Sequence, residues 1–418
     1  MQAAQSLSRS GADVLLIDRN TYHTFIPLLY QVAAAQLEPE SVAYPIRTLI
    51  RRSTQLHFRQ AEVQHIDFKE QRVETTSERI YFDYLVLATG GRTQYLGVPG
   101  AREYAFPLKT LTEAVVLRNH ILQRLEQASQ EQDLQRRQHL LNLVIVGGGP
   151  TGVEMAGTLV ELKQALKRDY PDLDLGLVKI ILVHSGEQLL PGLPGPLGDY
   201  TLKKLHKLGV QVFCQTRVVR VTPTSVVLQG GEMLETTTVI WAAGLVAAVP
   251  ATSPGVETAH KQKLRIKPTL QLQDYYHVYA IGDLAVIEDR PLSGVAPEAL
   301  QQGVAVARNI RRQMQGKSPQ PFRYFNKGRL AIIGCFAGVG KIGPFLLTGF
   351  LPWILWLGVH LVYLPGFRSR FIVLVNWLHG YLWRDRAIRL IFPSALSHPL
   401  DQQPPDSLAT KTTPSEFY

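Results

Sequence analysis

Apolar residues in this chain fall into short blocks separated by amphipathic stretches, and the alternation reads as β/α units. Ala3 to Arg9 has helical spacing and is closed by Ser10-Gly11, where glycine suits a left-handed helix stop. The strand Val14-Leu15-Leu16-Ile17 follows and ends in Asp18. This is the back half of a βαβ unit whose first strand and turn would precede Met1. A second unit is complete. Leu140 to Val146 is an apolar run broken only by Asn142, as expected of a parallel strand buried on both faces. It leads through Gly147-Gly148-Gly149-Pro150-Thr151-Gly152 into a helix from Val153 to about Lys167. Val178 to Val183 is the next strand, reached after a surface insertion at Asp169 to Gly176.

The pattern repeats. Tyr84 to Gly90 and Thr238 to Gly244 are both apolar strands that end in Ala-x-Gly, with Ala88 and Gly90 in the first and Gly244 closing the second. A further strand, His277 to Ile281, ends in Gly282-Asp283. The next helix opens at Ala296, with Pro297 near its first position, where a missing amide costs nothing. The fold class that follows is α/β, with two Rossmann-like dinucleotide-binding domains.

Glycines 147, 149 and 152 satisfy GxGxxG between a predicted strand and helix. In that setting the first permits the tight turn, the second lets backbone approach a pyrophosphate, and the third lets helix and strand pack closely. The helix N-terminus then faces the anion. The end of the second strand, where a ribose-binding acid is usual, carries His184, with Glu187 three residues on, so the choice between NADH and NADPH stays open.

At 418 residues the chain has room for two or three domains of roughly 150 residues each. Cys214 and Cys335 lie too far apart in sequence for a CxxC pair, which removes a zinc knuckle, a redox dithiol and a disulfide framework. No metal site is expected.

The net charge of +10 raises the question of an anionic partner, and half of it lies between residues 341 and 395 (Lys341, Arg368, Arg370, Arg384, Arg386 and Arg389 against Asp385). The same region contains 26 residues without a charged side chain, Ile342 to Phe367. Pro344, Pro352 and Pro365 interrupt it, and the 12 residues from 353 to 364 would rise only about 18 Å as a helix. That is short of the roughly 30 Å hydrocarbon core. Aromatic and apolar side chains interleaved with arginine suit the face of an anionic bilayer. A transmembrane hairpin and a buried helix pair or oligomer interface are the alternatives. Nucleic acid fits poorly, because the intervening residues are long aliphatic blocks rather than isolated stacking aromatics.

Taken together, these motifs resemble the type II NADH:quinone oxidoreductases, single-chain flavoproteins with two dinucleotide-binding domains. The blocks that carry the resemblance are Asp18-Arg19-Asn20, Pro27-Leu28-Leu29-Tyr30-Gln31-Val32-Ala33, Leu87 to Gly90, Gly147 to Glu154, Ala280 to Asp283, Ala296 to Gln302, Lys327-Gly328 to Gly334 and the aromatic C-terminal segment. The resemblance implies an FAD-binding domain from residues 1–110 and 256–340, an NAD(P)H-binding domain from 111–255, a membrane-association segment at 341–395 and a flexible tail at 396–418. It also implies that Asp18 binds the FAD ribose and Asp283 the ribityl chain, with Ala88, Gly90, Gly244, Gly282 and Ala299 lining the nucleotides. Glu154 would lie near nicotinamide and flavin, Gln301 against isoalloxazine and quinone, and Lys327 near the flavin ring.

The implied reaction passes a hydride from NADH, with NADPH admitted, to FAD, and two electrons on to a membrane quinone, without proton pumping. The implied location is peripheral, on the cytoplasmic face, with anionic lipid as partner and a homodimer allowed. Three departures bear on this. The glycine turn of the first unit would precede Met1, so weak or no flavin retention is expected. Ala296-Pro297 stands where the family has Ala-Gln, leaving the quinone type open, and His184 replaces the ribose acid. A sulfide:quinone oxidoreductase-like flavoprotein and a truncated, non-catalytic membrane-associated protein are the competing readings.

Overall fold

The computed structural model describes residues 1–252, 258–287, 294–383, 386 and 388–391. The expected flexible tail at 396–418 lies outside the described residues, as do Arg384 and Asp385. The chain forms two compact units, one from Met1–His23, Tyr44–Gln94 and Leu245–Asn326, the other from Thr24–Ala43, Tyr95–Gly244 and Lys327 onward.

In the first unit the helix Gln2–Ser8 packs on the long helix Ala296–Met314. The strand Val14–Asp18 runs parallel to Leu56–Gln60, which sets Asp18 opposite Gln60 at the strand ends. Leu85–Leu87 runs parallel to Val278–Ala280. Gly90 and Gly244, the glycines that close the two Ala-x-Gly strands, both have φ of 73°. The strands that leave these turns, Gly91–Thr93 and Leu245–Ala247, pair with each other antiparallel. The core gathers around Phe68, Leu264, Tyr279 and Val306.

The second unit holds a five-stranded parallel sheet in the order 105–107, 238–241, 142–146, 179–183, 210–213. Its central strand, Asn142–Val146, is buried at every position, as its unbroken apolar sequence requires. The strand is shorter than the apolar run, because Leu140 and Leu141 end the helix Leu134–Leu141. The helix after the glycine loop starts earlier than expected, at Pro150, whose fixed φ suits a first helical position.

The charge-free stretch is not one kind of structure. Its first part belongs to an antiparallel sheet of Arg329–Gly334, Ala337–Ile342 and Phe345–Gly349. Two helices follow, Phe350–Tyr363 and Phe367–Trp383. Among the described residues no helix is long and apolar enough to cross a membrane.

The compact units cut the chain at other points than the domain bounds that the resemblance implies, and packing explains where. The Leu29–Ala33 helix, from the PLLYQVA block, buries all five residues and packs against Leu111–Gln130 and Pro150–Ala165, so residues 24–43 belong to the second unit. The strand Arg329–Gly334 also packs on Pro150–Ala165, which brings residues 327–340 into that unit.

Candidate functional site

The glycine loop of the second unit combines tight packing with one open position. Gly147 has φ of 119°, and a Cβ there would come within 2.8 Å of the Ala242 backbone. A Cβ on Gly152 would sit 1.8 Å from the Gly147 carbonyl oxygen. Both positions are closed to any side chain. Gly149 differs: its φ is −75°, and a Cβ there would meet nothing within 4 Å. The backbone at Gly149 therefore faces open space at the N-terminus of a 16-residue helix, where partial positive charge favours an anion. The loop fits a dinucleotide pyrophosphate.

His184, at the adjacent strand end, turns inward. Its Nδ1 accepts from the Gly148 N–H at 3.1 Å, and its Nε2 donates to the Gln188 carbonyl at 3.1 Å. Burial lowers its proton affinity, so the imidazole is neutral and presents no charge to a ribose or a 2′-phosphate.

Glu154 lies one turn into the same helix and is 8 % exposed. Burial pushes its carboxyl up to about 8, against the opposing pull of the Ile332 N–H and the Trp356 indole N–H. Trp356 Nε1 donates to Glu154 Oε1 at 3.1 Å. Around this pair the second unit assembles a compact polar and aromatic group. The Tyr30 ring meets Trp356 edge-on at 6.3 Å, Gln31 donates to the Tyr30 hydroxyl at 3.1 Å, and Trp377 Nε1 donates to Gln31 Oε1 at 2.8 Å. Trp356, Trp377 and Gln31 were absent from the candidates read in the sequence. A glutamine inside an otherwise apolar block was the available signal, because a buried amide needs partners.

Lys327 is exposed, with Nζ 3.4 Å from the Tyr363 hydroxyl.

In the first unit, Asp18 is half-buried at its strand end and accepts from the Asn20 N–H at 2.8 Å. Ala88 is exposed just beyond Leu85–Leu87, and Thr89 donates to the Ala248 carbonyl at 2.6 Å. Gly282 follows the neighbouring strand, with the half-buried Asp283 next to it. The Ala299 methyl would lie 3.6 Å from a Cβ at Gly282, so the start of the Ala296–Met314 helix closes on this turn. The parallel strand ends, the glycine turn and the helix start form the kind of cradle a nucleotide uses. Gln301 is otherwise engaged. Its Nε2 donates to the Phe325 carbonyl at 2.9 Å and its Oε1 accepts from the Phe325 N–H at 3.0 Å. Its neighbour Gln302, buried and absent from the candidates, accepts from the Gly282 N–H at 2.6 Å and so fixes the turn that carries Asp283.

With this geometry in place, comparison with known proteins defines the class. The pyridine nucleotide-disulphide oxidoreductase family model matches residues 1–303. The chain is 33% identical over 398 residues to the type II NADH:quinone oxidoreductase Ndh of Mycobacterium tuberculosis, covering 91% of this chain and 86% of that protein. It is 30% identical to the type II NADH:quinone oxidoreductase of Staphylococcus aureus, covering 81% and 85%. Its fold matches NDH2 from Plasmodium falciparum with a TM-score of 0.85 at 20% identity, over 94% of this chain and 97% of that one. The sulfide:quinone oxidoreductase of Aquifex aeolicus matches with a TM-score of 0.71 at 15% identity, a likeness of fold alone, over 92% of this chain and 93% of that one. The chain belongs to the pyridine nucleotide-disulphide oxidoreductase family and, within it, to the type II NADH:quinone oxidoreductases. It is an oxidoreductase.

Proposed function

We propose that this chain oxidises NADH through bound FAD and reduces a quinone drawn from a membrane surface, without pumping protons. The observation that carries the reading is the glycine loop. An open backbone position at Gly149 receives the NADH pyrophosphate, and the same helix carries the buried, proton-holding Glu154. Gly147 and Gly152 keep that loop close to its helix. Asp18, Ala88, Gly90, Gly282, Asp283 and Ala299 would hold FAD, with Asp18 on the ribose and Asp283 on the ribityl chain, and Gly244 would line the NADH site of the second unit. When bound, FAD supplies the acceptance of a hydride and the return of an electron pair to quinone. Glu154, protonated at neutral pH by its burial, holds a proton that a reduced quinone needs, and Lys327 offers a cation beside the redox partners. Gln301 acts by fixing the backbone at Phe325 rather than as a free donor. The neutral His184 places no charge against NADPH, so that cofactor is accepted as well.

The two C-terminal helices supply the membrane contact. Phe350, Leu351, Phe367 and Phe371 are exposed, as is Phe345 on the preceding strand, and Arg368 is exposed beside Phe367. Such a surface enters the headgroup region of an anionic leaflet, on the cytoplasmic side where NADH is found. A second copy of the chain could cover part of the same face.

The test is direct. The chain saturated with FAD is mixed with NADH and a water-soluble quinone while the nicotinamide absorbance is followed. Stoichiometric oxidation of NADH with appearance of quinol is expected. No oxidation by the flavin-loaded protein overturns the proposal in favour of a non-catalytic, membrane-associated chain.

A further inference from the structure

The helix Phe350–Tyr363 has two faces with different duties. Phe350, Leu351, Ile354 and Val362 are exposed, whereas Trp353, Trp356 and Leu357 are buried. The buried face reaches the carboxyl of Glu154, which is 202 residues away in sequence, through the Trp356 indole N–H at 3.1 Å. We propose that Trp356 is a positioning residue for the reaction: its indole N–H fixes the rotamer and proton affinity of the Glu154 carboxyl, so the membrane-facing helix reaches the proton-holding site through its inner face. This rests on the reading of Glu154 given above.

The geometry leaves Trp356 little freedom. It is 1 % exposed. The His360 ring stacks on it at 3.7 Å with an interplanar angle of 21°, and the Tyr30 and Trp377 rings close its other sides at 6.3 and 6.1 Å. An indole nitrogen is a donor only, so it can hold a carboxylate in either protonation state but favours the ionised one. Its removal therefore moves the Glu154 titration upward, on top of the rise that burial already causes.

The other titratable groups around Glu154 are few. On the elements packed against its helix these are Tyr30 on Leu29–Ala33, Arg329 at the start of Arg329–Gly334, Lys179 at the start of Lys179–Val183, and Lys167 and Arg168 just beyond the helix itself. His360 and Tyr381 stand on the two C-terminal helices, and Glu161, paired with Arg386, and Lys163 lie further along the Glu154 helix. Burial lowers His360 to about 4 and raises Tyr30 and Tyr381, so none of these three changes charge near pH 8.

The experiment compares the full-length, FAD-saturated wild type with Trp356→Phe, Glu154→Gln and the double variant. Infrared difference titration reads the protonated-carboxyl band that Glu154→Gln removes, and the pH profile of kcat reads its functional counterpart. In Trp356→Phe the band midpoint and the profile limb should both move up by about one pH unit, with no further change in the Glu154→Gln background. An unmoved midpoint overturns the proposal, even if activity falls, because a packing defect alone lowers activity without moving the titration. If Trp356→Phe does not fold, the wild-type indole N–H Raman band takes its place. It should shift across the carboxyl titration in the wild type and stay still in Glu154→Gln, and a band that never shifts overturns the proposal. A wild type that shows the titration but no NADH oxidation refutes the functional reading, not the contact.

Discussion

At the scale of single residues, the glycine loop makes a sharp contrast. Gly149→Ala places a methyl group in open space with an ordinary φ, so the fold should not register it, whereas a pyrophosphate approaching that backbone should. The expected result is an unchanged Tm with the KM for NADH raised about tenfold or more, roughly 1.4 kcal/mol in binding. Gly152→Ala forces a Cβ to within 1.8 Å of a backbone oxygen and should cost about 3 kcal/mol of stability, read as a lowered Tm. Glu154 makes a second prediction. Its folded-state proton affinity is raised to about 8, from an ordinary 4.5. Stability that the protonated carboxyl contributes below pH 4.5 is thus lost progressively as the pH rises through 8. Relative to Glu154→Gln, the wild type should lose several degrees of Tm between pH 5 and pH 9, while the variant loses about 10²-fold in kcat at neutral pH. The glycine spacing was legible in the sequence because local geometry dictates it, whereas Glu154 was singled out only through the family resemblance. The adjacent pair Gln301 and Gln302 was not legible. Successive residues on a helix point about 100° apart, and only the fold decides that Gln301 meets Phe325 while Gln302 meets the Gly282 turn.

At the scale of elements, residues 353–364 were read as apolar and too short to span a bilayer, and among the described residues no helix is long and apolar enough to do so, but the anchorage of the C-terminal helices was invisible in the pattern. It depends on polar contacts between residues far apart in sequence. Arg386 donates to Glu161 at 2.9 Å and also reaches the Ala34 carbonyl. Asn376 donates to Glu38 at 2.6 Å, and Arg389 pairs with Asp169. The Arg386–Glu161 pair has side-chain exposures of only 5% and 18%, so removing one partner strands a buried charge. Arg386→Ala should cost about 3–5 kcal/mol at this clasp. The loss should be local. Hydrogen exchange should quicken across Phe367–Trp383 while the central helix Pro150–Ala165 remains protected, and equal loss in both helices would refute a local clasp. The strands Ala337–Ile342 and Phe345–Gly349 escaped the sequence reading for a related reason. A long charge-free run reads the same whether its apolar side chains face lipid or a neighbouring strand.

At the scale of the molecule, the excess of positive charge and the exposed apolar residues converge on one region, and their separate physical signatures can be resolved. Attraction of arginine to anionic lipid is screened by salt within a Debye length of about 10 Å at 0.1 M. Insertion of Phe350 and Phe371, exposed at 58% and 59%, on the membrane contact proposed above, would not be. Binding to vesicles containing anionic lipid should therefore weaken with added salt but persist, and binding to neutral vesicles should be weaker and nearly independent of salt. The paired change Phe350→Glu with Phe371→Glu removes apolar area and adds like charge to the leaflet, so it should abolish the salt-resistant part. It should also raise the KM for a long-tailed quinone held in those vesicles, with turnover of a short-tailed soluble quinone kept within about twofold, since both side chains are exposed whereas Trp356 is buried. A homodimer on the same face predicts the opposite pair of results. The substitutions would then lower the sedimentation coefficient in solution and leave vesicle binding untouched. Because the two readings assign the same residues to different partners, measuring both quantities on one variant decides between them.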